Sequence, residues 1–83
     1  MKKSIWDESY SNLRIELKKI RRKAGLSQTQ LAEILQKPQS YVSKYEIGDR
    51  NLDFIEVLNV CKACDFSAEE LVKNVQTIIE RKS

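Results

Sequence analysis

Histidine is absent from the 83-residue chain, which also holds only two glycines, one proline and two cysteines. The lack of histidine removes the commonest general base and transition-metal ligand. With so few glycines and prolines, and with no alternating run rich in β-branched residues, we expect an all-α fold. No apolar run approaches the roughly 20 residues of a membrane span, and no apolar stretch follows the basic start as a signal peptide requires. We therefore expect a cytoplasmic protein without a membrane-bound part.

The two cysteines, Cys61 and Cys64, form a CxxC pair. Two thiolates are too few for a structural zinc site, and a thioredoxin-like motif would need a βαβ setting. At this spacing both side chains lie on the apolar side of a helix with Phe54, Val57 and Leu58. We interpret them as core residues, with thiol redox chemistry as the alternative, and predict no metal, cofactor or catalytic residue.

Length and charge indicate one small domain with a basic surface. The chain is long enough to bury one core, and its net charge is +3. Five cations crowd into six positions: Lys18, Lys19, Arg21, Arg22 and Lys23. Such a cluster favours a polyanionic partner, or else forms a solvated helix face.

A stripe of apolar residues at helical spacing predicts a first helix that ends near Ala24, before Gly25. The stripe consists of Tyr10, Leu13, Leu17, Ile20 and Ala24. Either Ser4 or Ser9 is expected to cap this helix. The large apolar residues Ile5 and Trp6 have no assigned role, and the sequence leaves open whether they pack on the domain or on a partner.

Residues 27–48 predict two short helices joined by a sharp turn. Ser27 and Gln30 have the spacing of a capping box, and Leu31, Ala32 and Leu35 share one apolar face. The turn falls at residues 36–38, and Pro38 suits the first position of the next helix.

The second short helix, at about residues 39–46, separates an apolar face from a polar one. Val42 and Tyr45 point to one side and are expected to be buried. The other side carries Gln39, Ser40, Ser43 and Lys44. Glutamine can bond adenine bidentately, lysine can donate to guanine, and a helix fits the major groove. This face is therefore a candidate for base contacts, the alternative being an ordinary solvated helix face.

The joint spacing of several short matches resembles the helix-turn-helix of the Cro/cI-repressor (Xre-like) family. The matches are Ser27-Gln28, Leu31-Ala32, Val42-Ser43, Glu46-x-Gly48, Leu52-Asp53 and Phe66-Ser67-x-x-Glu70-Leu71. The resemblance covers about residues 13–71. It implies a compact five-helix, lambda-repressor-like DNA-binding domain that acts as a dimer on a palindromic operator. Residues 1–83 would form this single domain.

Contacts to the DNA backbone are expected around the motif. By resemblance, Ser27 and Gln28 would face a phosphate at the start of the first motif helix. Tyr41 lies beside the base-contacting face, and Arg50 lies in the loop that the family often places against the backbone. Arg21 is a further phosphate candidate.

The resemblance also implies an ion pair between Arg21 and Glu46, which we expect to be partly buried and to tie the recognition helix to the domain. The sequence departs from the family pattern at two positions. Gln36 stands where the family usually has glycine, and Pro38 stands where it often has a capping serine or threonine.

Two further helices are predicted from their capping boxes, Asp53 with Glu56 and Ser67 with Glu70. The fifth helix, at about residues 67–81, carries an apolar stripe of Leu71, Val72, Val75, Ile78 and Ile79. We expect Val75, Ile78 and Ile79 to form a dimer interface. The alternative is that this part folds back on Trp6 and the first helix.

These features together predict a sequence-specific DNA-binding transcriptional regulator without catalysis, whose partners are double-stranded DNA and a second copy of the chain. The alternative function is an antitoxin-type interaction protein that neutralises a protein partner, with DNA binding secondary. The sequence leaves the operator open, and also whether binding represses or activates.

Overall fold

A computed structural model describes residues 5–82 of the chain, and the side chains of residues 7–80. The chain folds into α1 (Ile5–Lys23), α2 (Gln28–Leu35), α3 (Gln39–Ile47), α4 (Phe54–Ala63) and α5 (Ala68–Lys82). Residues 5–82 contain no strand, so the prediction of an all-α, five-helix domain is confirmed. Within this described range, no helix is long and apolar enough to cross a membrane. The predictions for Ser4 and for the side chains of Ile5 and Trp6 lie outside the described residues.

One core joins all five helices. Its buried members are Leu17, Ile20, Leu31, Ala32, Val42, Tyr45, Leu52, Val60, Cys61, Cys64 and Leu71. Val42 and Tyr45 are buried as predicted, which fixes the orientation of α3. Cys61 and Cys64 are also buried, and burial raises the pKa of both thiols. Both properties are those of core residues rather than of a reactive pair.

The predicted inner face of α4 is partly wrong. Phe54 is 68% exposed, and Leu58 is only half-buried. Val60, which the prediction left out, is completely buried. The buried face of α4 is centred between Val60 and Cys61 and extends to Cys64, so Phe54 and Leu58 fall at its margin. Tyr10 on α1 and Ala24 directly after it are likewise more exposed than the apolar stripe predicted.

The turn between α2 and α3 contains one residue in the left-handed region of backbone conformation. Gln36 has φ 58°, and Lys37 donates its backbone N–H to the Ala32 carbonyl over 2.9 Å. Pro38, predicted as the first helical residue, instead has an extended conformation with ψ 154° and precedes α3 as its cap residue. At the other end of α3, Gly48 has φ 93° and packs so closely that a Cβ would lie 3.0 Å from the Arg14 guanidinium.

Capping boxes begin α2 and α4. The Gln30 N–H donates to Ser27 Oγ, and the Ser27 N–H donates to Gln30 Oε1. Asp53 and Glu56 exchange the same two bonds at α4. The cap of α5 shows its forward bond, from the Glu70 N–H to Ser67 Oγ over 3.3 Å. These short-range patterns place the helix starts within one residue of the predictions.

The apolar stripe of α5 divides between the core and the surface. α5 packs along α1, and Val75 packs against the core cluster. Ile78 is half-buried, whereas Ile79 is 40% exposed. Val75, which we expected at a dimer interface, is therefore partly covered within the domain itself.

Candidate nucleic-acid interface

The outer face of α3 carries the four residues predicted to contact bases. Because Val42 and Tyr45 hold the inner face in the core, Gln39, Ser40 and Lys44 are exposed, and Ser43 is half-buried beside them. Ser43 Oγ donates to the Ser40 carbonyl over 3.2 Å, so its hydroxyl is left to accept. The face therefore offers an amide, a free hydroxyl and an ammonium group from a single helix.

The ion pair between Arg21 and Glu46 is present and buried, joining α1 to the end of α3. Arg21 Nε lies 2.7 Å from Glu46 Oε2, and Arg21 Nη2 lies 3.1 Å from Oε1. The two side chains are 10% and 2% exposed. The hydrogen bond to Glu46 raises the pKa of Arg21 above its ordinary value. The pair thus fixes α3 against α1.

A role for Arg21 in contacting phosphate is contradicted by these contacts. Besides its two bonds to Glu46, Arg21 donates from Nη1 to the Leu26 carbonyl over 2.9 Å. Every nitrogen of the guanidinium therefore already has an acceptor, and the group is nearly inaccessible. Sequence alone could not separate the two roles, since an arginine at the flank of an apolar stripe suits either.

Glutamine amides extend this pair toward the surface. Gln28 Nε2 donates to Glu46 Oε1 over 2.9 Å. Gln39 Nε2 in turn donates to Gln28 Oε1 over 2.9 Å. Sequence reasoning missed this chain because its members lie far apart in sequence. The available signal was that both glutamines occupy the first position of a motif helix.

A second polar cluster lies where α3, the following loop and α4 meet. Tyr41 donates its hydroxyl to Glu56 Oε2 over 2.9 Å, and Arg50 forms an ion pair with the same oxygen. The Arg50 guanidinium lies 4.9 Å above the Tyr41 ring, and Lys37 Nζ lies 5.6 Å from it. Tyr41 thus stands among cations, which its ring attracts. Sequence analysis found Glu56 only as a capping residue.

Burial and hydrogen bonds shift the pKa values of both Tyr41 and Glu56 in this cluster. Burial, followed by the hydrogen bond to Glu56, raises the pKa of Tyr41 to about 12. The backbone N–H of Asp53, followed by the Arg50 guanidinium, lowers the pKa of Glu56 to about 2. At neutral pH the cluster is therefore a neutral phenol between a carboxylate and two cations.

The start of α2 keeps some donors for a ligand. The Ser27 N–H donates to Gln30 Oε1, so the Ser27 hydroxyl proton remains available for a ligand. Gln28 uses one Nε2 proton for Glu46 and keeps the other. Among the described residues, no group of three or more His, Cys, Asp or Glu could hold a metal ion. The available chemistry is that of hydrogen-bond donors and cations.

Comparison with known proteins relates the chain to helix-turn-helix proteins. Residues 17–71 match the HTH_3 family model, described as helix-turn-helix. The fold is similar to that of a solved XRE-family like protein from Pseudomonas syringae pv. tomato str. DC3000. Its sequence identity to this chain is 34%, its TM-score is 0.85, and the match covers 89% of this chain and 90% of that one. No curated protein matches the chain.

Proposed function

Because the chain belongs to the XRE-type helix-turn-helix family of DNA-binding regulators, we propose that it is a sequence-specific transcriptional regulator that binds a pseudopalindromic operator. The observation that carries this proposal is the outer face of α3. It is held outward by Val42 and Tyr45, and its polar groups suit the base edges of the major groove. Catalysis forms no part of the proposed role, and residues 1–83 act as one binding domain.

Base contacts are assigned to the exposed start and middle of α3. Gln39 would bond an adenine, and Lys44 would donate to a guanine. Ser40 and Ser43 would accept or donate at neighbouring base edges. The proposal is supported by the exposure of Gln39, Ser40 and Lys44 on one face.

Backbone contacts would flank this face and fix its register without reading sequence. At the start of α2, the remaining protons of Ser27 and Gln28 would donate to one phosphate. Beyond α3, Arg50 and the neighbouring Tyr41 would face another. Lys37, in the turn before α3, adds a second cation within reach of the same cluster.

Dimerisation would place two recognition helices on adjacent half-sites, about 10 bp apart. We propose that the second copy binds through the exposed edge of α5, at Ile78 and Ile79. The exposed Val72 lies on the same helix and extends this surface. Replacing Ile78 and Ile79 with lysine should give folded monomers with poor affinity for a full operator. Sedimentation that still shows a dimer would place the interface elsewhere.

The test of the proposed function is selection of bound sequences from random duplex DNA. We expect a palindrome with half-sites about one helical turn apart. In follow-up binding assays, Gln39→Ala and Lys44→Ala should each relax specificity at one base position, by about 1–3 kcal/mol. Recovery of unrelated sequences would contradict the proposal, as would equal losses on operator and random DNA.

A protein partner is the second candidate function, and one surface favours it. Leu13, Leu52, Phe54, Val57, Leu71, Val72, Val75 and Ile79 line an apolar groove between α1, α4 and α5. Phe54 stands at this groove largely exposed, as expected of a residue that a partner covers. Failure of the DNA selection, combined with co-purification of a defined partner lost on Phe54→Ser, would favour an antitoxin-type role.

A further inference from the structure

Two amides join the buried ion pair to the outer face of α3. Gln28 begins α2 and Gln39 begins α3. The hydrogen bonds run from Gln39 to Gln28 and from Gln28 to Glu46, each 2.9 Å long. Glu46 is held by Arg21. The continuous chain therefore reaches from the domain interior to the exposed start of the recognition helix.

The buried ion pair decides which group donates and which accepts in each hydrogen bond of this series. A guanidinium can only donate hydrogen bonds, and an ionised carboxylate can only accept them. Arg21 keeps Glu46 as an acceptor, so Gln28 must turn its NH2 group toward Glu46. Its carbonyl oxygen then faces Gln39, and Gln39 must donate to it. Reversing either amide would place two donors or two acceptors face to face.

This direction determines what Gln39 presents to a ligand. One Nε2 proton is used by Gln28, so the other proton and the carbonyl oxygen remain, with the nitrogen held on the Gln28 side. Adenine presents an acceptor at N7 and a donor at N6, whereas guanine presents two acceptors. An amide that could flip would present its nitrogen or its oxygen to either position of the base edge. It would therefore discriminate less between adenine and guanine.

We propose that Glu46 is a positioning residue for base recognition: through Gln28 it fixes the amide orientation of Gln39 and so selects adenine. The inference rests on the proposed function, in which Gln39 contacts a base. Glu46 then has two roles, one in holding α3 to α1 and one in sequence selectivity. It acts on the DNA without touching it.

The test uses the full chain and a selected operator. Gln39→Ala first identifies the base pair that Gln39 reads, and binding is then compared on four duplexes that differ only there. The wild-type chain should prefer adenine by about tenfold or more. Glu46→Gln should bring the four affinities to within about threefold, because a glutamine at position 46 can offer Gln28 either an NH2 group or a carbonyl.

Gln28→Met separates the orientation of Gln39 from folding. It removes the hydrogen bonds that join Gln39 to Glu46, at a half-buried position, and leaves the ion pair in place. It should lose the adenine preference with little change in the unfolding midpoint. Glu56→Gln is the matched control, because it removes a carboxylate from the other arginine–glutamate pair and should keep the preference. Unchanged preference in both Glu46→Gln and Gln28→Met, with equal losses on all four duplexes, would overturn the inference. A wild-type chain without preference at any position would instead overturn the proposed function.

Discussion

Two arginine–glutamate pairs lie at the two ends of the candidate interface, and they differ mainly in their access to water. The side chains of Arg21 and Glu46 are 10% and 2% exposed. Those of Arg50 and Glu56 are 46% and 21% exposed. Removing one partner of a buried pair leaves an uncompensated charge, whereas solvent screens an exposed pair. The same chemistry therefore builds a fixed support in one region and an exchangeable contact in the other.

The exposed pair suits the phosphate contact that we propose for Arg50. Arg50 could leave Glu56 for a phosphate oxygen at a smaller cost than Arg21 could leave Glu46, because water reaches both groups of the exposed pair. The Tyr41 ring beneath the guanidinium limits where the side chain can move. The buried pair offers no such exchange, since all three guanidinium nitrogens of Arg21 are occupied within the domain.

The largest expected effect is on the free energy of unfolding when one partner of the buried pair is removed. Arg21→Met or Glu46→Leu alone should destabilise the domain by about 3–5 kcal/mol, since each leaves a buried charge without its partner. The double variant should recover much of that loss, because an apolar pair can replace a buried ion pair at little net cost. Denaturant unfolding of the four proteins measures the coupling.

The control for this cycle is Arg22→Met, which removes an exposed cation next to Arg21 and should change stability little. Single changes at Arg21 and Glu46 that are each mild and simply add would show that the two residues are not coupled. That result would also remove the contrast between the two pairs.

The second effect, on DNA affinity, concerns the exposed pair. Arg50→Ala should weaken binding to operator and random duplexes alike, because a phosphate contact positions without specifying sequence. The slope of affinity against salt concentration should become shallower by about one. Lys73→Ala, an exposed cation on α5, is the matched control and should leave the slope unchanged. A loss confined to the operator would mean that Arg50 reads a base.

Local sequence patterns predicted the frame of this interface well. The capping boxes at Ser27 and Asp53 and the burial of Val42 and Tyr45 all depend on residues a few positions apart. Helical spacing decides such features before any tertiary contact forms. The polar face of α3 follows directly, since its inner face is fixed by the core.

Features that depend on proximity in space were not predictable in the same way. The resemblance supplied the partner of Arg21, but no pattern indicated that Gln28 and Gln39 would extend that pair to the surface. Nor did helical spacing locate Phe54, because the rotation of α4 is set by its neighbours. The hydrogen bond from Tyr41 to Glu56 was likewise missed, since the two residues lie 15 positions apart.

The smallest expected effect is the pH dependence contributed by Glu56. Its pKa in the folded chain is about 2, against an ordinary value of 4.5, because the backbone N–H of Asp53 and the Arg50 guanidinium stabilise the carboxylate. A carboxyl group whose pKa falls on folding contributes stability above its unfolded pKa and loses it as the pH drops toward the folded value. Glu56 should therefore contribute fully above about pH 4.5 and progressively less down to about pH 2.

Glu56→Gln keeps the cap, because glutamine also serves in a capping box, but it removes this titration. The unfolding free energy of that variant, measured between pH 5 and 2, should fall less steeply than that of the wild-type chain. Glu70→Gln makes the same change at the matching cap position of α5 and is the control. If Glu56→Gln follows the wild-type curve throughout, the exposed pair contributes nothing to folding, and its role would lie only in holding Arg50 for DNA.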